Sequence, residues 1–250
     1  MKISVITAVW NNCETVAQAL DSVLAQTHPD VEMIVIDGAS TDGTREVLER
    51  YRDRLAVLVS ERDAGIYDAL NKGIARATGE VVGFLHADDL LADSNVLARI
   101  ASAFTANVDG VYGDLLYVRK QNPSQTVRYW RSRPFTPELC GKGWMPAHPT
   151  LYLRRAVYQR HGQFDTSYRI AADYDFMLRI LTAGTRVVYL PAVLVKMRVG
   201  GVSNRSLGNL LRKSREDLRA LQQNRVGGIW TLLRKNLSKL PQFFVTAADS

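Results

Sequence analysis

Short β-branched runs alternate with stretches of helical spacing from Lys2 to Leu85, and this alternation constrains the fold more than any other feature. Lys2 to Val9 (KISVITAV), Val31 to Ile36 (VEMIVI), Leu55 to Ser60 and Val81 to Leu85 (VVGFL) read as strands. Glu14 to Gln26 carries Val16, Ala19, Leu20, Val23 and Leu24 at helical spacing, and His28-Pro29-Asp30 breaks it. Thr44 to Tyr51 and Asp68 to Ala77 read as further helices, the second stopped by Thr78-Gly79. Such an order builds an α/β fold on a mostly parallel sheet with right-handed crossovers. Ligands of such sheets sit outside the carboxyl ends of the strands. Asp37, Asp63 and Asp88-Asp89 all follow strands, so acids far apart in sequence are expected at one sheet edge.

The pattern loosens after Val111. Tyr112 to Tyr117 and Thr126 to Trp130 read as antiparallel strands around Asn122-Pro123. Arg133 to Pro149 is rich in Gly and Pro and reads as an active-site loop. Thr150 to Leu153 is a strand, Arg154 to His161 and Asp173 to Ala183 are helices, and Arg186 to Leu190 is a strand ended by Pro191. From Leu207, apolar residues at Leu207, Leu210, Leu211, Leu218 and Leu221 alternate with Lys and Arg. A second amphipathic stretch, Ile229 to Leu240, follows Gly227-Gly228.

The 250 residues, 46% hydrophobic and 23% charged, suit one large α/β domain or a domain with a short appendage. Two cysteines, Cys13 and Cys140, are too few for a disulfide framework and show no zinc spacing, which points to a reduced, cytosolic compartment. Met1 to Val9 lacks the apolar core and cleavage site of a signal peptide. No apolar run reaches the roughly 18 residues of a membrane span. The charge is uneven: Asn204 to Ser250 holds nine basic and three acidic residues, while the preceding 203 hold 23 and 22. A near-neutral body with a basic tail points to an anionic contact made by the tail.

Three segments carry the chemistry: Asp37-Gly38-Ala39-Ser40-Thr41-Asp42-Gly43-Thr44, Asp63 to Gly73 (DAGIYDALNKG) and His86-Ala87-Asp88-Asp89. In this order they resemble the successive motifs of family 2 glycosyltransferases of the GT-A fold, over about residues 1 to 203. The resemblance implies a GT-A (Rossmann-like) mixed, mostly parallel sheet flanked by helices. It divides the chain into a domain at 1–203, with a nucleotide-sugar half at 1–115 and an acceptor half at 116–203, and a basic helical tail at 204–250.

The resemblance further implies a nucleotide-diphosphate-sugar donor, with UDP-sugar favoured over GDP-sugar. A carboxylate-held Mn²⁺ or Mg²⁺ would neutralise the leaving diphosphate. The family's Asp-x-Asp signature falls on His86-Ala87-Asp88, so Asp88 is the expected metal ligand, Asp89 its neighbour, and His86 a departure from the pattern. Asp37 and Asp63 match acids that contact the nucleoside. Thr7, Val9 and Asn11 are expected to shape the base pocket, Gly65 to allow close backbone approach, and Lys72 to face the diphosphate. Asp173, in Ala172 to Arg179 (ADYDFMLR), matches the base that deprotonates the acceptor hydroxyl in an inverting transfer; where the family often has Glu, this chain has Ala172. Asp175 reads as structural, paired with Arg179. His148 lies in a segment resembling the acceptor side, and Arg198 with Gly200 to Ser203 resembles a loop that closes over the diphosphate.

The expected acceptor is a saccharide or lipid-linked hydroxyl in surface polysaccharide synthesis. The tail reads either as a surface-lying membrane helix, with Trp230, Leu232, Leu233, Leu237 and Phe243/Phe244 on its apolar side, or as a helix packed on the domain or in a dimer. A sugar nucleotidyltransferase is the competing enzyme, but Trp10-Asn11-Asn12-Cys13 offers no Gly-rich basic phosphate loop. A glycoside hydrolase needs two carboxylates but no nucleotide pocket. A non-catalytic donor-binding subunit is the non-enzyme alternative, kept open by His86 and Ala172. No nucleic-acid motif accompanies the basic tail.

Overall fold

The computed structural model describes residues 1–200 and 207–237. β1 (Ile3–Val9) lies inside a parallel set, between β2 (Val31–Asp37) and β4 (Val81–Phe84), with β3 (Val57–Ser60) outside β2. β8 (Tyr152–Arg154) joins β4 antiparallel, and β6 (Gly110–Val118) joins β8 antiparallel. β9 (Val187–Arg198) runs parallel to β6, β5 (Leu90–Leu91) pairs antiparallel with β9, and β7 (Thr126–Trp130) folds back on β6. The result is one mixed sheet of nine strands.

Strand alternation divides the core into two layers. Ile6, Ala8, Ile34 and Ile36 join the layer of α3 (Ile66–Arg76) and α7 (Ala172–Thr182). Val5, Val9, Met33 and Val35 join the layer of α1 (Val16–Leu24), α2 (Thr44–Glu49) and α4 (Val96–Ala103). A fully buried Val or Ile contributes roughly 1.5–3 kcal/mol, so the sheet is the rigid frame that positions the loops at its edge. Gly73 brings α3 onto β1: a Cβ there would stand 2.4 Å from Ile6 Cγ2. The first turn of α3, which carries Tyr67, thereby lies at the carboxyl edge of the parallel strands.

Pro191 does not end a strand. β9 runs from Val187 to Arg198 straight through it. Its register with β6 slips between Tyr112↔Tyr189 and Asp114↔Val193. Proline has no N–H for a ladder and is tolerated at such an irregularity. β5 and α4 leave little sequence signal because the first is two residues long and the second is short. The segment 133–149, read as loop, contains α5 (Glu138–Gly141) and enters a 3-10 turn at His148–Thr150, and β8 starts at Tyr152.

α6 (Arg155–His161), α8 (Leu207–Gln223) and α9 (Ile229–Leu237) complete the described helices. α8 and α9 pack on the α7 layer, where Ala220, Leu221 and Leu232 are buried. Lys235 Nζ pairs with Asp217 Oδ1 at 2.8 Å and stands 3.1 Å from the Tyr174 ring centroid. Leu210, Leu211, Ile229, Trp230, Leu233 and Leu237 remain exposed. No described helix is long and apolar enough to cross a membrane. Gly201 to Ser203, the expected helical stretch beyond Leu237, and Phe243/Phe244 lie outside the described residues.

Candidate active site at the carboxyl edge of the sheet

Asp37 closes β2 and is fully buried. Its carboxylate accepts the Ser40 N–H at 3.2 Å and the hydroxyls of Ser40 and Ser60, each at 2.5 Å. The Asn11 N–H donates to Ser40 Oγ and the Thr41 N–H to Asn11 Oδ1, both at 2.8 Å. Asn11 and Ala39 adopt positive φ, +48° and +60°. Such left-handed backbone at non-glycine residues is held in place by its surroundings and concentrates at functional loops. Asp37 therefore organises the two loops that follow β1 and β2.

Asp63 stands opposite these loops. Its Oδ1 accepts the Gly65 N–H at 2.9 Å. A Cβ on Gly38 would lie 2.6 Å from Asp63 Oδ2 and 3.3 Å from Trp10 Cδ1. Glycine at 38 thus keeps a carboxylate and an indole side by side. Trp10 is 68% exposed beside that carboxylate. Trp10 is not among the site residues expected from sequence; its one signal there is an aromatic directly after an apolar strand. Thr7 and Val9 are buried in β1, where Thr7 Oγ donates to the Leu85 carbonyl at 2.8 Å. Gly65, at φ +122°, opens α3. The Lys72 ammonium contacts Glu61 at 2.9 Å, Asp68 at 3.3 Å and the Arg62 carbonyl at 3.1 Å.

The acid pair lies in the turn between β4 and β5. Asp89 is 1% exposed; its Oδ1 accepts the Arg198 N–H at 3.1 Å, and its Oδ2 is buried with no hydrogen-bond partner among the described residues. Burial pushes the Asp89 carboxyl well above the ordinary carboxylate range, Asp88 adds to this, and Arg198 opposes it. The Arg198 guanidinium is turned inward, donating to the carbonyls of Asp88 at 2.6 Å and Lys120 at 3.1 Å and to Gln18 Oε1. The half-buried Asp88 carboxylate takes no hydrogen bond or ion pair from any described residue. No cluster of three or more His, Cys, Asp or Glu forms a closed cation cage among the described residues. An unsaturated carboxylate with an orphaned buried oxygen beside it fits a hard cation that takes one or two carboxylates and completes its shell with phosphates.

Asp173 lies in the first turn of α7, and its Oδ1 is 3.1 Å from the Tyr67 hydroxyl. Two imidazoles connect it to the acid turn. Burial lowers the His86 pKa, against the carboxylates of Asp88 and Asp173. Burial pushes His148 down to about 4, against Asp173. The two rings are 6.1 Å apart, and His148 stacks on Phe84 at 5.3 Å. His148 Nε2 has no hydrogen-bond partner among the described residues. The fold thus gathers His86, Asp88, His148 and Asp173 in one region. Asp175 points elsewhere, pairing with Arg179 at 3.0 Å as its helical spacing predicted.

Comparisons with known proteins bear on the family and the fold. The sequence pattern of the family described as Glycosyl transferase family 2 matches residues 4–167. A PGL/p-HBAD biosynthesis glycosyltransferase of Mycobacterium bovis is 31% identical over 209 residues, covering 80% of this chain and 78% of that protein. The crystal structure of S. aureus TarS 1-349 in complex with UDP-GlcNAc superposes with a TM-score of 0.69 at 20% identity, over 90% of this chain and 66% of that one. The mannosyltransferase PcManGT of Pyrobaculum calidifontis, in complex with GDP-Man and Mn²⁺, gives 0.66 at 19% identity, over 99% of this chain and 76% of that one. The last two likenesses concern the GT-A fold; the sequence match extends beyond the fold, and the protein is a glycosyltransferase that belongs to glycosyl transferase family 2.

Proposed function

We propose that this protein is an inverting, metal-dependent glycosyltransferase that moves a sugar from a nucleotide-diphosphate donor, UDP-sugar in preference to GDP-sugar, to a saccharide or lipid-linked hydroxyl in surface polysaccharide synthesis. The observation that supports this reading is that buried His86, two residues before Asp88 and 6.1 Å from the His148 ring, lies within electrostatic reach of both Asp88 and Asp173. A diphosphate-side carboxylate and a candidate base within electrostatic reach of one buried imidazole suit a displacement at a sugar between them.

In this reading Trp10 stacks on the nucleobase. Asp63 accepts from a base N–H or ribose hydroxyl, and Asp37 holds the loops that shape the pocket. Asp88, with Asp89 beside it, would hold Mn²⁺ or Mg²⁺ near the diphosphate. Bound there, the cation supplies Lewis-acid stabilisation of the leaving group. Arg198 braces the acid turn from below. Asp173 takes the proton of the acceptor hydroxyl as its oxygen attacks the anomeric carbon from the face opposite the diphosphate. His148, held neutral by burial, offers Nε2 to an acceptor hydroxyl. The site-bearing body spans 1–203, with 204–250 as its basic helical tail. The exposed Leu210, Leu211, Trp230, Leu233 and Leu237, interspersed with Arg212, Lys213, Arg215 and Arg234, suit contact with an anionic membrane surface at the cytoplasmic face.

A panel of UDP- and GDP-sugars with Mn²⁺ tests the donor. A ligand that binds only the folded protein raises its melting temperature. A rise for UDP-sugars above that for GDP-sugars supports the reading, and no rise for either class counts against it. Co-sedimentation with anionic vesicles tests the tail: binding unaffected by Trp230→Ala/Leu233→Ala would remove the membrane role.

A further inference from the structure

We propose that Tyr67 on α3 and Glu216 on α8 are positioning residues that clamp the turn carrying Asp173 from two sides, which makes α8 a working part of the active site. The proposal rests on the reading of Asp173 as the base.

The turn before α7 lacks a cap of its own. Ala171 occupies the N-cap position and no side chain there bonds the first turn. Glu216, from another helix, instead grips the three residues just before the first turn. Its carboxylate accepts the N–H groups of Arg169 at 3.1 Å, Ile170 at 2.8 Å and Ala171 at 2.9 Å. Hydrogen bonds to an ionised acceptor are about twice as strong as neutral ones. An anion at this end of α7 also complements the helix dipole. α8 and the turn after it reach the same segment at further points: the Tyr168 hydroxyl donates to Gln223 Oε1, Arg219 donates to Ser167 Oγ at 3.0 Å, and Asn224 Nδ2 donates to Asp175 Oδ1 at 2.9 Å. These contacts lie on either side of Asp173 in sequence.

Tyr67 holds the other side. Its hydroxyl is 2.6 Å from the Ile170 carbonyl and 3.1 Å from Asp173 Oδ1. The one phenolic O–H lies within donating reach of both oxygens, so Tyr67 ties the Ile170 carbonyl and the Asp173 carboxylate to α3. Ile170 is gripped at its N–H by Glu216 and at its carbonyl by Tyr67, three residues before the base. None of these bonds is made to Trp10, Asp37 or Asp63, in the loops after β1, β2 and β3.

The clamp predicts a split between binding and turnover. Misplacing a catalytic group by about 1 Å costs on the order of 10²-fold in rate. Glu216→Ala should lower kcat roughly 10–100-fold for UDP-GlcNAc or GDP-mannose, read as nucleoside diphosphate release, while the Kd for UDP with Mn²⁺ stays within about twofold. Glu216→Gln, which keeps an acceptor oxygen, should recover part of that loss. Tyr67→Phe should lower kcat with UDP affinity retained. Backbone amides of 169–175 should exchange faster in Glu216→Ala than in the wild type. Wild-type kcat in both Glu216→Ala and Tyr67→Phe would overturn the clamp, as would UDP affinity falling in step with kcat. Asp173→Asn is the reference: if it alone turns over normally, the base assignment fails, whereas loss there with normal Glu216 and Tyr67 variants fails the clamp alone.

Discussion

The main-chain N–H of Arg198 donates to Asp89 Oδ1 at 3.1 Å, and the Arg198 guanidinium donates back to the Asp88 carbonyl at 2.6 Å. The end of β9 and the turn after β4 are thus locked together, though they lie more than a hundred residues apart. Arg198→Ala strands the Asp88 and Lys120 carbonyls and removes the cation that opposes the burial of Asp89. A hydrogen bond to a charged group contributes roughly 1.5–3 kcal/mol, so the loss should be on the order of 3 kcal/mol. At about 2–4 °C per kcal/mol for a chain of this size, the melting temperature should drop visibly. An unchanged melt would show that the lock holds nothing.

Trp10 is the exposed wall of the proposed base pocket. Stacking of a base on an aromatic side chain is worth about 1–3 kcal/mol. Trp10→Ala should therefore weaken UDP binding by roughly tenfold with no loss of stability, because the side chain packs on little. Equal UDP affinity in the variant, by calorimetry, would remove Trp10 from the site.

Asp173→Asn keeps the shape of the side chain and removes its basicity. Transfer should fall by roughly 10²–10⁴-fold, the usual worth of a positioned base. Donor binding should be unaffected. Rapid-quench transfer at near-normal rate would assign the proton to another group.

His148 sets a pH dependence of stability. Burial holds its folded pKa at about 4, below the value of about 6.5 for an unfolded chain. Between these values the unfolded state binds more protons, so stability rises with pH there and falls as pH drops through the window. His86 is shifted the same way. His148→Phe, which suits the Phe84 and Phe164 rings around it, should flatten denaturant-derived stability between about pH 6.5 and 4. An unaltered slope would contradict a buried neutral imidazole at 148.

The parallel half of the sheet was legible because strands covered on both faces leave unbroken apolar runs, as in VEMIVI and VVGFL. The acids at its edge followed from that topology. Asp175–Arg179 followed from helical spacing alone. Pro191 misled because a bulge in the pairing of β6 with β9 is a tertiary feature with no local signature. The inward course of Arg198 was hidden for a similar reason: its partners, Gln18, Asp88 and Lys120, come from three separate parts of the chain. Lys72, Thr7 and Trp10 show the same limit. A motif places a residue near a site, but only packing decides whether its side chain faces the cleft, the core or a neighbour.

The most direct test is calorimetric titration of UDP into wild type and Asp88→Ala, each with and without Mn²⁺. Mn²⁺ should tighten UDP binding in the wild type, and Asp88→Ala, still folded by its melt, should lose this tightening. Metal-dependent binding that survives unchanged in Asp88→Ala would contradict it.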